Sequence, residues 1–547
     1  PAHADGLGRY LQAMHEYVLE NYRELVMGVA KNGETLSELR GIRESELPTE
    51  YRVNVLVSHK HDSAPVEFEK EPSLPHLFGY LEYKDTHQGL DADHMMIRAG
   101  SLHRANGGYL IVQAEELLGS LEIWHAFKRA LRHREIRMPD LWNDPEKPRI
   151  QGVLRPMEVP TNLKVMLIGS AESYFALMSE DEDFRRIFKV KAEFESWVSW
   201  DQQHELSLIR MLRRIAEEEG LLSLEYSAIA RLIEEAARDV ESQSKLSTSI
   251  ANRIDLLCEA DHWARERNAE SLGAEDIEKA LSFRNYRNES LERDFLESID
   301  SGEVLIETSG EAIGQINGLL VYSAIDHHFG IPTKITAQTY AGREGVVNIG
   351  REANLSGYIH DKGAMILVGF LGGLCSQQTP LCLNASVTFE QIYGEVEGDS
   401  ASCAELYALL SSLSRIPVHQ GIAVTGSMNQ RGEVQPIGEV NRKIEGMFAL
   451  CKKRGLTGQQ GVIIPFQNAQ HLMLRENVIE AVRQGLFHIW AIRHVREGIP
   501  ILMGKSGGAR DPAGRWTPDS VLDRVQDRLD HLASVARDYG LGLSKRT

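Results

Sequence analysis

Cysteine is scarce in this 547-residue chain. The five present (Cys258, Cys375, Cys382, Cys403 and Cys451) are scattered and odd in number, with no CxxC pair among them. That pattern argues against a disulfide framework or a zinc finger and fits reduced thiols in a cytoplasmic protein. Long hydrophobic runs are also missing, since no apolar stretch approaches the roughly 18 residues of a membrane-spanning helix. No signal peptide precedes the first helical pattern. Basic charge is in deficit: 60 Lys+Arg stand against 79 Asp+Glu, a formal net charge of −19. Phosphate binding needs clustered positive charge, so neither nucleic acid nor a membrane is expected as a partner. The basic cluster Lys128–Arg137 reads as a solvated helix face. What is present is ordinary globular composition, 42% hydrophobic and 25% charged, in a chain long enough for roughly three to four domains. It opens on Pro1 rather than Met, which reads as a fragment or a processed form.

Hydrophobic periodicity divides the chain. Leu11, Met14, Val18, Tyr22 and Leu25 recur at helical spacing, so residues 1–45 form an amphipathic helical segment whose pattern ends near Asn32-Gly33. Residues 46–201 alternate strand-like runs (Tyr51–Val57, Gly108–Val112, Leu163–Gly169) with helical stretches such as Ile123–His133, which predicts an α/β domain with buried strands. Helical period then takes over without a strand signal through Gln202–Arg287, giving a small helical domain over 202–297 with a charged linker at Tyr286–Glu303. Val304–Ile306, Leu319–Tyr322, Gly345–Ile349, Met365–Leu371 and Val462–Ile464 return toward a period of two, with helices after Ser400 and Asn441. This predicts an α+β domain over 298–503, followed by a Gly-rich linker and a charged C-terminal helix over 504–547.

Three motif fragments fail on context. Gly28 to Thr35 has P-loop glycine spacing, but Glu34 stands where the phosphate-binding lysine belongs. Gly504-x-Ser506-x-Gly508 matches a nucleophile-elbow string but sits in linker composition rather than between a strand and a helix. His59/His61 with Asp62, and His327-His328 with Asp326, complete no ligand spacing, so no metal is expected.

The informative stretch is Glu397-Gly-Asp-Ser-Ala401. The strand-like run Ser386–Tyr393 leads into it and the helical spacing Ala404, Leu406, Leu409, Leu410, Leu413 follows, placing Ser400 at a helix N-terminus. Unpaired amides there favour negative charge, so a nucleophilic oxygen with an oxyanion site at the Asp399, Ser400 and Ala401 amides is one reading; helix capping by Asp399 or Ser400 is the other. Downstream, Lys443 is flanked by the apolar stripe Val440, Ile444, Met447, Phe448 and Cys451. A desolvated lysine has a lowered pKa and can act as a general base, whereas an ordinary helix lysine is a solvated charge.

Together with Gly314–Gly318, Gly345–Ile349, His360-Asp-Lys-Gly363, Phe389–Tyr393, Thr425-Gly426, Gly432–Lys443 and Val462–Pro465, these segments resemble the proteolytic domain of Lon-family serine peptidases over about Ile313–Met503. The resemblance implies Ser400 as nucleophile, Lys443 as general base and Thr425 as the hydroxyl holding that lysine. Glu397-Gly-Asp-Ser is similar to the archaeal-type, LonB-like variant, in which the two acids contact the lysine in a resting form. Glu397 or Asp399 is therefore expected to swing away on activation. Leu77–Glu82 and Ala99–Ile111 resemble the AAA+ module of the same proteins, and the segment around Lys245–Thr248 resembles its lid. In those relatives an acidic Walker B pair follows the strand, but here Gln113 stands where Asp is expected, and their P-loop would lie upstream of this chain. The fold implied is a degenerate AAA+ α/β domain with a helical lid, followed by an α+β Lon-type protease domain. The function implied is that of the ATP-independent LonC branch: a homohexamer, without cofactor, acting on peptides and unfolded polypeptides. An ATP-driven protease with its P-loop outside this chain, and a holdase or adaptor ring with a vestigial site, are the alternatives.

Overall fold

Short apolar runs alternating with helices yield, in a computed structural model, two units, Pro1–Glu193 and Phe194–Thr547. The structure describes residues 2–30, 52–59, 63–86, 89–138, 154, 156–323, 328–342, 345–353, 355–375 and 381–538.

The first unit begins with α1 (Ala2–Ala30). Leu11, Met14, Val18 and Tyr22 of its apolar stripe are exposed, and the side chain of Leu25 lies outside the described residues. A parallel three-stranded sheet follows, with β2 (Tyr109–Gln113) between β1 (Val66–Glu69) and β3 (Lys164–Ile168). The expected strand over Tyr51–Val57 does not form: residues 52–57 are irregular, and Asn54 donates its amide to the carbonyls of His94 and Ile97. The expectation of buried strands holds for one face only. Leu110 and Val112 face a core with α2 (Leu121–His133), whereas Val66, Phe68, Met166 and Ile168 on the opposite face are exposed. Lys128 departs from the expected solvated face. It is buried beside Trp124 and pairs with Asp181 at 2.6 Å, while Arg129, Arg132, Arg134 and Arg137 are exposed. Beyond β3, α3 (Ala171–Glu180) starts at the Ser170 cap.

The second unit opens with four helices, α4 (Gln202–Glu218), α5 (Tyr226–Asp239), α6 (Ile250–Glu266) and α7 (Ala274–Asn288). Their core holds Leu212, Ile229, Leu232, Leu257 and Ile277. Contrary to the unbroken helical reading, the pieces Ser223–Leu224, Lys245–Ser247 and Ser271–Leu272 pair as short strands where the connections pack together. The charged linker expected at Tyr286–Glu303 is mostly helix: α7 runs to Asn288 and α8 (Ser290–Asp300) follows, burying Ile299. Its charges decorate the outer face of a helix that still has an apolar stripe.

A seven-stranded mixed sheet organises the rest. It comprises β4 (Gln315–Ser323), β5 (His328–Ala341), β6 (Gly345–Asn348), β7 (Leu383–Phe389), β8 (Ile422–Val424), β9 (Gln460–Pro465) and β10 (Phe487–Ile492), in the order β6-β7-β5-β4-β8-β9-β10. Every residue of β9 is buried, as expected for a parallel strand covered on both faces. Met365–Leu371, expected as a strand, lies inside α9 (Tyr358–Cys375). A short apolar run does not distinguish a strand from a buried helix segment, and the three flanking turns of helix decide it. Val304–Ile306 is irregular, although Ile306 is buried. Three further helices are α10 (Ser402–Ser414), α11 (Val440–Arg454) and α12 (Val521–Asp538). α10 is buried at every position and shares one core with Ile335, Leu383 and Val387 of the sheet and with Val525, Leu529 and Leu532 of α12. The charged C-terminal helix thus contributes an apolar stripe to the core.

Candidate active site

Two loops converge at the ends of buried elements. β7 leads through residues 390–401 into α10, and Ser400 sits two residues before that helix begins. β8 ends at Val424 and hands over to Thr425, whose N–H donates to the Ile463 carbonyl of β9 at 3.0 Å. The Gly426 N–H donates to the Ser400 carbonyl at 2.7 Å, and Cys403 N–H returns to Gly426 at 3.1 Å, so the two loops are laced together by backbone bonds. Helix α10 has no side-chain cap: its N-cap is Ala401, and neither the Asp399 carboxylate nor the Ser400 hydroxyl accepts a hydrogen bond from its amides. The capping alternative for these two residues is thereby excluded.

The third element is α11. Its stripe Val440, Ile444, Met447, Phe448 and Cys451 packs with Leu319, Ala423, Val462 and Ile464 of the sheet, as the sequence predicts. Close approach to β5 depends on a pair of glycines. A Cβ on Gly446 would overlap the Gly330 carbonyl oxygen, and one on Gly330 would overlap Arg442 and Lys443 backbone. The packing brings Lys443 Nζ to 2.9 Å from Ser400 Oγ and 3.4 Å from Thr425 Oγ1. Thr425 in turn donates its hydroxyl toward the Ser400 carbonyl at 3.4 Å. Ser400, Thr425 and Lys443, separated by up to 43 residues, thus meet at one point.

Lys443 is only 5% exposed. Burial pushes its ammonium down to about 8, against the opposing pull of Glu439, Glu241 and Asp399. Sequence reasoning did not single out Glu439 or Glu241. Glu439 is the N-cap of α11 and holds a left-handed φ of 59°. Glu241 comes from the turn after α5, and burial raises its own carboxyl. That turn is docked by Arg238, which donates twice to Glu445 at 2.8 Å, and by Gln243, which donates to the Ala469 and Leu472 carbonyls. No local spacing could have revealed a carboxylate supplied from 200 residues upstream.

The expected resting contact of Glu397 or Asp399 with the lysine is not formed. Among the described residues neither acid lies within ion-pair distance of Lys443. Glu397 is exposed and accepts from Ile359 N–H at 3.3 Å, at the N-terminus of α9, where a carboxylate is favoured by the free amides. Asp399 uses its carbonyl to accept both the N–H and the hydroxyl of Ser402. His61, Asp62, Asp326, His327 and residues 31–35 lie outside the described residues, His59 is exposed, and Gly504 caps a helix with φ 64°. Among the described residues no cluster of His, Cys, Asp or Glu is placed to hold a metal, and no helix is long and apolar enough to cross a membrane.

Comparison with known proteins matches residues 62–195 to the family described as "LonB-like, AAA domain". Residues 223–287 match "Archaeal LonB, AAA+ ATPase LID domain", and residues 394–503 match "Lon protease (S16) C-terminal proteolytic domain". Over 442 residues the chain is 36% identical to a Lon protease homolog of Escherichia coli, covering 79% of this chain and 72% of that relative. A homolog of the same name from Haemophilus influenzae is 33% identical over 445 residues, 80% of this chain and 72% of its own. An archaeal Lon protease of Archaeoglobus fulgidus is 24% identical over 443 residues, 80% and 67% respectively. An AAA-like domain, its lid and a Lon proteolytic domain therefore follow one another along the chain.

Proposed function

This chain belongs to the Lon protease family, and on that footing we propose that it is a serine endopeptidase that cleaves peptides and unfolded polypeptides through a Ser400–Lys443 dyad, without ATP. The observation that carries this reading is the 2.9 Å contact between Lys443 Nζ and Ser400 Oγ, made by a lysine buried away from water. Neutral Lys443 takes the Ser400 proton as the oxygen attacks the substrate carbonyl. The N–H groups of Asp399, Ser400 and Ala401 hold the developing oxyanion. Thr425 accepts from the resulting ammonium and keeps it aimed at the reaction centre. The ammonium then protonates the leaving amine as the C–N bond breaks, leaving an ester on Ser400. Water, giving its proton to Lys443, hydrolyses that ester and regenerates the serine.

Independence from ATP is supported by the residues of the AAA-like unit. Gln113 ends β2 where a magnesium-binding carboxylate is expected, and an amide is the weaker ligand. Ala114 follows and is buried. The next acid, Glu115, accepts from Ser170 N and Ser173 Oγ at 2.8 Å each, which commits it to the N-terminus of α3. These residues do not fit a magnesium–nucleotide complex. A homohexameric ring enclosing the sites and a cytoplasmic location complete the proposal; the family resemblance implies the first and the free thiols accord with the second.

Degradation of casein, with and without ATP–Mg, beside Ser400→Ala, tests this reading. Cleavage without nucleotide that disappears in the variant is expected. Cleavage only with ATP overturns the reading of Gln113, and casein bound but never cut makes the ring a holdase.

A further inference from the structure

A second polar cluster lies behind the serine loop, and the dyad mechanism makes no use of it. His360 of α9, Asn348 at the end of β6 and Glu405 of α10 are all at least nine-tenths buried. The Asn348 side-chain oxygen accepts the Arg351 N–H at 3.3 Å, which fixes the orientation of its amide. Its two amide protons then face two acceptors, His360 Nε2 and Glu405 Oε1, each at 3.1 Å. Nδ1 lies 3.3 Å from the Gly398 carbonyl oxygen, which can only accept, so Nδ1 is the donor; Nε2 faces the Asn348 amide and lies 3.5 Å from Glu405 Oε1. The ring is packed edge-on against Phe389 at 5.4 Å between centroids, so it has little freedom to turn.

Gly398 stands two residues before Ser400 at φ 88°, a region that glycine enters readily and leaves readily. The peptide that follows it is planar and trans, so the direction of its carbonyl dictates the opposite direction of the Asp399 N–H. We propose that His360 is a positioning residue for the peptidase site, its Nδ1–H holding the Gly398 carbonyl so that the Asp399 N–H stays aimed at the oxyanion. Asn348, itself bonded to Glu405, faces the other ring nitrogen and fixes the ring in the orientation this donation needs. The inference rests on the Ser400–Lys443 reading above. It assigns to a buried trio from three elements the work of keeping a glycine peptide from rotating.

The test compares His360→Leu, His360→Asn and His360→Gln with the parent and with Ser400→Ala, on a fluorogenic peptide. Asparagine places an amide N–H where the imidazole Nδ1–H was; glutamine places it one bond further out. Removing an oxyanion donor costs about 100- to 1000-fold in kcat; His360→Leu only loosens one, and is expected to lower kcat about 10- to 100-fold. KM stays within about twofold and the acid limb of the pH–rate profile, which Lys443 sets, does not move. His360→Asn recovers most of kcat and His360→Gln does not. If the leucine variant fails to fold, the asparagine–glutamine comparison carries the test alone. Equal activity of those two, or a leucine variant matching the parent, overturns the positioning role. Should Ser400→Ala keep its activity, the dyad reading falls and this one with it. An inactive Ser400→Ala beside an unaffected His360 series removes only the positioning role.

Discussion

The pH dependence of serine acylation tests the electrostatics most directly. Lys443 must be neutral to act as a base, and burial brings its pKa down to about 8 from 10.5. The neutral fraction is then about 1% at pH 6, about 50% at pH 8 and about 90% at pH 9. At pH 8 an unshifted lysine would be neutral only about 0.3% of the time, so burial enlarges the competent population about 150-fold. The assay is the second-order rate of labelling by a fluorophosphonate probe between pH 6 and 9.5, which reports the free enzyme. A rise of about 50-fold from pH 6 to 8 followed by a plateau near pH 9 is expected. A rate that keeps climbing tenfold per pH unit through pH 9.5 would refute the desolvation argument. Glu439→Gln refines it: removing a negative charge that favours the ammonium lowers the lysine pKa further, so the acid limb moves to lower pH. Movement to higher pH contradicts the sign of that interaction.

Three further outcomes follow from the same packing. Because the folded pKa of Lys443 lies below its unfolded value, the unfolded chain binds more protons between about pH 8 and 10.5, and stability rises with pH across that window. Below it the full desolvation penalty of about 3 kcal/mol applies, so Lys443→Met raises the denaturation midpoint at pH 7 while abolishing peptide hydrolysis. Gly446→Ala places a methyl group against the Gly330 carbonyl; α11 must lift from β5, with about 1–3 kcal/mol lost in urea denaturation and at least about tenfold lower kcat. Arg238→Ala removes the bidentate partner of Glu445 where the α5 turn meets α11, and costs about 1–3 kcal/mol in the same denaturation measurement.

Local periodicity was enough to read α11, because its stripe from Val440 to Cys451 has helical spacing and no competing pattern. It was enough for β9 and for the strand-to-helix bend at Ser400. It failed where pattern and length conflict: the apolar core of α9 looked like a strand because Met365–Leu371 has no polar residue to mark a turn. The charged stretch holding α8 looked like a linker because Ile299 and its few apolar neighbours are outnumbered. Local chemistry made Ser400 and Lys443 candidates with a capping serine and a solvated lysine as the alternatives; the resemblance to Lon-family peptidases paired them and added Thr425.

What sequence alone could determine is thus which segments are helical, which are strand, and which side chains are chemically suited to act. Those properties are local, fixed by the spacing of apolar residues and the conformational limits of glycine. Which side chains touch, and in what charge state, was decided only by the tertiary structure. Lys443 is desolvated because β4, β8 and β9 cover one side of α11, and its remaining charge balance depends on Glu241 from a helical turn 200 residues earlier. Glu397, which the family resemblance pairs with the lysine in a resting form, instead meets the Ile359 amide at the start of α9. Desolvation and Coulomb energy depend on distances through space, and a linear pattern does not contain those distances.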